Sequence, residues 1–264
     1  MKFNSFQEKT IEALDDCSGA IKHCAKNAIR HLKKAWKIHE IDIEMAMFRG
    51  ITAEEEAVSS LFHCLKAHRY QNADRLLFNQ HTYKLGLFPF IEGIGHFLGK
   101  IMVNGSQPFD KFDLRHKRLG QRRAIELHLN MPGHGLIASP IPPLHFTINN
   151  AETGQISTFE KNFQELIEGA GYDNALKYIR DRAIQRNKLL YASNSGHSKV
   201  EGSIEGYLDE QKKKVMACLV IVLMIDPWEK EEGSSLFVQQ ALDSYLLLLQ
   251  RIEQHEVTRP NNAF

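Results

Sequence analysis

This chain has no long hydrophobic run. The longest, Val215 to Ile225, has eleven residues, against roughly 20 for a membrane-spanning helix. Cysteine is scarce: Cys17, Cys24, Cys64 and Cys218 are all there is, and none forms a CxxC. That argues against a disulfide framework or a zinc module and for a reducing, cytoplasmic setting. A charge excess of either sign is missing too, with 33 Lys+Arg against 32 Asp+Glu and a net charge of +1. No global field draws the protein to nucleic acid, so any such binding must come from local patches. The opening MKFNSFQEKTIEALDD is acidic and polar, which predicts no signal peptide. GxSxG, Walker, kinase and HExxH signatures are all absent, leaving hydrolase, ATPase, kinase and metallopeptidase readings without a motif. Neither a metal nor a cofactor is expected. Gly93, Gly95 and Gly99 follow GxGxxxG with no preceding strand, so they read as helix-packing glycines and not as a dinucleotide loop.

Most of the chain carries helical periodicity. Over residues 5–48, Ile11, Leu14, Ile21, Ala28, Leu32 and Ala35 recur at three-, four- and seven-residue steps with no proline between. The opposite face bears Lys22, Lys26, Arg30, Lys33, Lys34 and Lys37. Gly50-Ile51-Thr52 then punctuates the pattern. Thr52 with Glu55 has the capping-box form, which would put Glu54, Glu55 and Glu56 in a first helical turn, where acids complement the macrodipole. Alternatively, residues 38–68 form one rod with an internal acidic cluster. Residues 69–79 read as a connection, and Pro89 should break or kink any helix there.

Between Asn104 and Thr158 the character changes, and five of the eight prolines fall there. Period-two stretches at Ala124–Met131, Leu144–Ile148 and Gln155–Phe159, with a turn at Asn150–Gly154, predict a small β-rich insertion. Just before it, Arg115, Lys117, Arg118, Arg122 and Arg123 place five basic residues in nine. This is a candidate RNA-backbone contact or simply a solvated loop. His128, His134 and His145 could meet in space or be unrelated. Helices resume at Phe159–Glu168 and after Asp173. A buried helix over Glu205–Ile225 should stop at Asp226-Pro227, and a last helix covers Leu236–Ile252, with a tail over 256–264. The expected architecture is mostly α, a helical bundle in one domain over 1–264, with a β-rich insertion at about 104–158.

The segment with the most suggestive chemistry is 180–193. Ile179, Ala183 and Leu190 share one helical face; Arg182, Arg186 and Leu189, with Lys188 beside them, form another stripe. A guanidinium at Arg186, a polar Asn187 and a phenol at Tyr191 near a helix end suit a phosphate or RNA contact. The same residues also suit a solvated basic face with Tyr191 packed inward.

Taken together, TAEEEAVSSLF (52–62) and RNKLLYAS (186–193) resemble the HEPN superfamily of helical-bundle proteins, and within it the abortive-infection family AbiV. Many HEPN proteins are metal-independent RNases of prokaryotic defence or toxin–antitoxin systems, in which an arginine followed shortly by a histidine cuts RNA across a dimer. The resemblance implies that Arg186 is the catalytic arginine, with Asn187 its polar neighbour, Tyr191 in the histidine's place and Glu55 or Glu56 the acidic position. Arg182 and Lys188 would join the hairpin's basic residues in holding RNA. A homodimer and a protein partner from the same operon are the expected associations. Two departures stand out. Ala57-Val58-Ser59-Ser60 follows the acidic run where members carry Lys-Ala, and a tyrosine with a pKa of about 10 is a poor general base at neutral pH. The reading requires Glu54, Glu55 or Glu56 to lie close to Arg186 in the fold. A non-catalytic HEPN-like module binding RNA or protein, and a helical subunit of a larger complex, remain open beside it.

Overall fold

The structure, a computed structural model, describes residues 1–91, 111–131, 135–145, 148–149, 153–154, 156–157, 177–179, 181–182, 186–189, 200, 202–232 and 234–257. Gly93, Gly95, Gly99, His134, the helix expected over 159–168, Asp173 and Tyr191 lie outside them, as does the tail from 258 onward.

The chain opens with α1 (Ser5–Ala13), closed by a 3-10 turn at Leu14–Asp16. Asn4 and Gln7 form a reciprocal capping box at its start. The helical pattern over 5–48 is divided among three helices. Gly19, at φ +55°, redirects the chain into α2 (Gly19–Ile38), a conformation that costs other residues more than glycine. A second break precedes α3 (Ile43–Ala67), whose N-cap Asp42 accepts from the Met45 backbone N–H.

α3 runs without interruption through Gly50, so the rod alternative holds and the Thr52 cap does not. Thr52 Oγ1 instead donates to the Phe48 carbonyl one turn back. The reason is packing. A Cβ at Gly50 would meet Gln211 Cγ and Tyr207 Cε1 at 3.2 Å, so the glycine here permits close approach of another helix. That partner is α5 (Glu205–Glu232), reached through a 3-10 turn at Ala73–Arg75, α4 (His81–Leu85) and the β region. Pro89 falls in the first turn of a helical segment at 87–91, where its missing N–H costs little.

α5 does not stop at Asp226-Pro227. It continues to Glu232 with Pro227 inside it. Proline removes only one intrahelical bond, while Ile225 and Trp228 are buried on either side. Trp228 Nε1 also donates to the Ile125 carbonyl at 2.9 Å, anchoring the continued turn to the sheet. α6 (Leu236–Val257) closes the described chain.

The β insertion begins with a long hairpin. β1 (Lys111–Leu119) pairs antiparallel with β2 (Arg122–Met131), Leu119 opposite Arg122, and β3 (Leu136–Ala138) adds a third strand. Gly120, at φ +53°, opens the two-residue turn, as a type II′ hairpin requires. The basic run is therefore strand and turn, not loop. β4 (Ile148–Asn149) and β5 (Ile156–Ser157) make a separate two-stranded ladder around the expected turn. In the Leu144–Ile148 stretch, Ile148 is in strand while Leu144 and His145 are not.

One hydrophobic cluster joins α1, α2, α3, α5, α6 and β2 through Leu14, Leu32, Phe62, Ile125, Leu219 and Leu249, all almost fully buried. Burying such side chains contributes about 1.5–3 kcal/mol each. A smaller cluster, including Ala46, Ile204 and Leu208, sits toward the start of α3 and α5. Among the described residues no helix is long and apolar enough to cross a membrane.

The caps give a direct test. Asp42→Ala should cost about 1 kcal/mol of stability, as loss of an N-cap does. Thr52→Ala should stay within about 0.5 kcal/mol, because a mid-helix threonine bonding back to its own helix contributes little. Urea denaturation measures both; a loss at Thr52 as large as that at Asp42 would return the helix start to Thr52.

Candidate functional site

Three consecutive glutamates occupy the middle of α3. At about 100° per residue they point in three directions, and each meets different chemistry.

Glu54 is fully buried. Its Oε2 accepts from Arg182 Nη2 at 2.8 Å and its Oε1 from the Tyr178 hydroxyl at 3.3 Å. Arg182 Nη1 donates to the Tyr207 hydroxyl at 3.0 Å, which donates onward to the Met47 carbonyl at 3.4 Å. The guanidinium carbon lies 5.8 Å and 5.3 Å from the Tyr178 and Tyr207 ring centres, within range of a cation–π attraction. Lys214 donates to the Tyr178 hydroxyl from the other side. Burial, then the Glu54 charge, pushes the Tyr178 phenol well up; burial, partly offset by Arg182, pushes Tyr207 up to about 12. Both phenols are neutral donors at physiological pH. Arg182 was expected on an RNA-facing stripe. Its side chain is only 9% exposed, so its charge is committed to Glu54 and cannot meet a phosphate.

Glu55 is buried as well, but its partners reach solvent. Its Oε1 lies 2.8 Å from His81 Nδ1 and 3.6 Å from Arg186 Nε, and its Oε2 lies 3.8 Å from Lys84 Nζ. The side chains of His81, Arg186 and Lys84 are 42%, 22% and 11% exposed. Arg186 Nε is too far from Glu55 for a hydrogen bond and makes none; its guanidinium carbon sits 5.4 Å from the Phe48 ring centre. The proximity of Arg186 to the acidic run, required by the sequence reading, is therefore met through Glu55. Asn187 and Lys188, next in the chain, are exposed on the same helical turn.

Glu56, half-buried, bonds the Cys24 thiol, which burial and the Glu56 charge push up to about 11. Burial, followed by neighbouring Arg30 and Arg49 for His31 and Lys66 for His63, lowers the pKa of both imidazoles. Neither thiolate nor imidazolium is favoured on this face.

Comparisons with family models, curated proteins and solved structures return no match.

The hairpin's basic residues are largely engaged within the molecule. Arg115 pairs with Asp113 at 2.8 Å and Lys117 with Glu126 at 3.0 Å. Arg123 makes a bidentate pair with Asp16, both bonds 2.8 Å. Of the five, Arg118 beside the turn is exposed and Arg122 half-buried, and these two keep charge for an outside partner. His128 lies 2.8 Å from Glu126 and His145 3.0 Å from the Ser234 carbonyl, so these histidines serve separate contacts.

Sequence reasoning missed His81 and Lys84, which sit on a five-residue helix too short to show periodicity. It also missed a ligand-like convergence. The side-chain donors of Cys64, His68 and Asp226 all lie within 4.8 Å of one another, contrary to the expectation of no such set. The i,i+4 spacing of Cys64 and His68 was the available signal; Asp226 was hidden by reading it as a helix stop.

The Glu54–Arg182 pair should be essential to the fold. Removing one partner of a buried pair costs about 3–5 kcal/mol because the other charge is left uncompensated. Arg182→Ala and Glu54→Ala should each lose about that much in urea denaturation, and the double variant should lose less than the sum. Fully additive losses would show that the two groups are not coupled.

Proposed function

We propose that this chain is a HEPN-like metal-independent endoribonuclease whose reacting groups gather around Glu55. The observation carrying this reading is that one buried carboxylate collects His81, Lys84 and Arg186 from different parts of the chain. An imidazole and a guanidinium on one carboxylate at a partly open surface place an acid–base group beside a cationic group.

In this reading Glu55 accepts from His81 Nδ1, fixing the ring so that Nε2 is the basic nitrogen. His81 then does what Tyr191, by its ordinary pKa, does poorly. It takes the proton from a ribose 2′-hydroxyl as that oxygen attacks the adjacent phosphorus. Arg186 stabilises the charge that develops on the phosphoryl oxygens, while buried Lys84 helps hold Glu55 ionised. The bond to the 5′-oxygen breaks, that oxygen takes a proton from water, and a 2′,3′-cyclic phosphate and a 5′-hydroxyl are left. Exposed Asn187 and Lys188, and Arg118 and Arg122 on the hairpin, are the groups suited to guide the RNA strand. The resemblance to HEPN proteins carries with it a defence or toxin role, an operon partner and a two-fold dimer that juxtaposes two copies of the 186–191 segment. A stable dimer by light scattering at micromolar concentration is the expected result, and a monomer at high micromolar concentration would count against the shared site.

The exposure of His81 also fits a non-catalytic RNA-binding module, and activity separates the two. Wild-type protein incubated in EDTA with a labelled RNA pool should yield cyclic-phosphate ends. Arg186→Ala should lower the rate about 10²–10³-fold, the usual loss on removing one oxyanion-stabilising contact. His81→Ala should lower it about 10²–10⁴-fold, the range of a general base. Both variants should retain the wild-type circular dichroism. Equal cleavage by wild type and Arg186→Ala would remove the site assignment. Binding without cleavage across several RNAs would favour the module.

A further inference from the structure

We propose that Cys64, His68 and Asp226 hold a zinc ion that ties the end of α3 to α5, separate from the Glu55 cluster. Cys64 lies nine residues beyond Glu55 in α3, about 14 Å along the axis at ~1.5 Å per residue.

The donors converge from two rigid elements. Cys64 and His68 lie one turn apart at the end of α3, and the His68 backbone N–H donates to the Cys64 carbonyl at 3.0 Å. That bond fixes the spacing of the two side chains. Asp226 comes from α5, where Trp228, two residues on, is held by the Ile125 carbonyl. His68 Nε2 lies 3.1 Å from Asp226 Oδ1, and all three donor atoms fall within 4.8 Å of one another. A tetrahedral zinc with bonds of about 2.0–2.3 Å separates its ligands by about 3.4–3.6 Å, so small side-chain adjustments place the three donors at three of its four corners and leave the fourth to a water molecule.

Charge and chemistry select the ion. A thiolate, a neutral imidazole and a carboxylate together carry two negative charges, which one divalent cation neutralises. Sulfur with nitrogen and one oxygen suits zinc and disfavours magnesium or calcium, which take oxygen ligands. The Asp226 side chain is 1% exposed and that of His68 6%.

The same three residue types could form a nucleophile, base and orienting acid. Burial rules against that use: Cys64 and Asp226 are both fully buried, leaving a substrate no path to the sulfur. A closed site points to a structural ion, taken up as the chain folds.

The test uses the full chain, refolded under reductant with zinc or cobalt as the only added metal, then desalted. One equivalent of zinc should remain by elemental analysis, with a higher melting temperature than the refolded metal-free protein. Cobalt should give a thiolate-to-metal charge-transfer band, retained in Cys24→Ser and lost in Cys64→Ala. The wild-type band is read directly, so the result stands even if Cys64→Ala folds poorly; His68→Gln then serves as the second variant, expected to lose at least tenfold in zinc affinity. No retained metal in the wild type, a cobalt complex lacking the thiolate band, or undiminished zinc uptake by both variants would each overturn the proposal. None of these readouts depends on RNA cleavage.

Discussion

A fully buried carboxylate in the middle of a helix is the constraint around which much of this structure is arranged. Glu54 cannot stay ionised there without a cation at hydrogen-bond distance, and Arg182 supplies it at 2.8 Å. Arg182 in turn needs its remaining donors satisfied and its face covered. Tyr207 from α5 accepts from Nη1, and the Tyr178 and Tyr207 rings lie beside the guanidinium. The consequence is positional. Arg186 follows Arg182 by four residues, and with Arg182 held against Glu54 it lies beside Glu55, one residue further along α3. The buried pair and the exposed cluster are successive rungs between the same two segments.

That arrangement explains the division of labour among the three glutamates. Glu54, with no exposure, binds one guanidinium and one phenol and stabilises the fold. Glu55, with partners 11–42% exposed, presents cationic groups outward. Its own burial matters: a carboxylate shielded from solvent water orients an imidazole more firmly than an exposed one, because the local dielectric is lower. Glu56 faces a thiol and two imidazoles whose pKa values disfavour their charged forms, and among the described residues no ion pair to it is formed.

How much of this the sequence disclosed follows from what periodicity can encode. Amphipathic spacing showed the helices around Leu32, Phe62 and Leu249, and alternation showed β2 around Ile125 and Leu127. The nearness of Arg186 to the acidic run was also readable, because a basic stripe with apolar neighbours requires a counter-charge. The burial of Glu54 was not. Thr52-Ala-Glu-Glu has the local form of a capping box, and only the close approach of α5 at Gly50 shows that this stretch is a helix interior. Pro227 misled in the same way: local propensity said stop, and the tertiary anchor at Trp228 said continue. His81 and Lys84 lie on a helix held by its contacts and not by a pattern of its own, so no local signal could mark them.

These failures share a cause that bears on how α3 is built. A helix end can be read from sequence when local groups satisfy the end, as Asn4 and Asp42 do for α1 and α3. It cannot be read when tertiary packing decides whether the helix continues. α3 continues through a glycine and α5 through a proline, residues that disfavour helix interiors by about 1 and 3 kcal/mol. Both exceptions sit at the α3–α5 contact. Gly50 lets Tyr207 approach closely enough to hold Arg182, while the turn around Pro227 brings Asp226 within reach of His68. The local propensity lost at each position is compensated by polar contacts across one helix–helix interface. The fold therefore places its least helical residues where charged groups on two helices must meet.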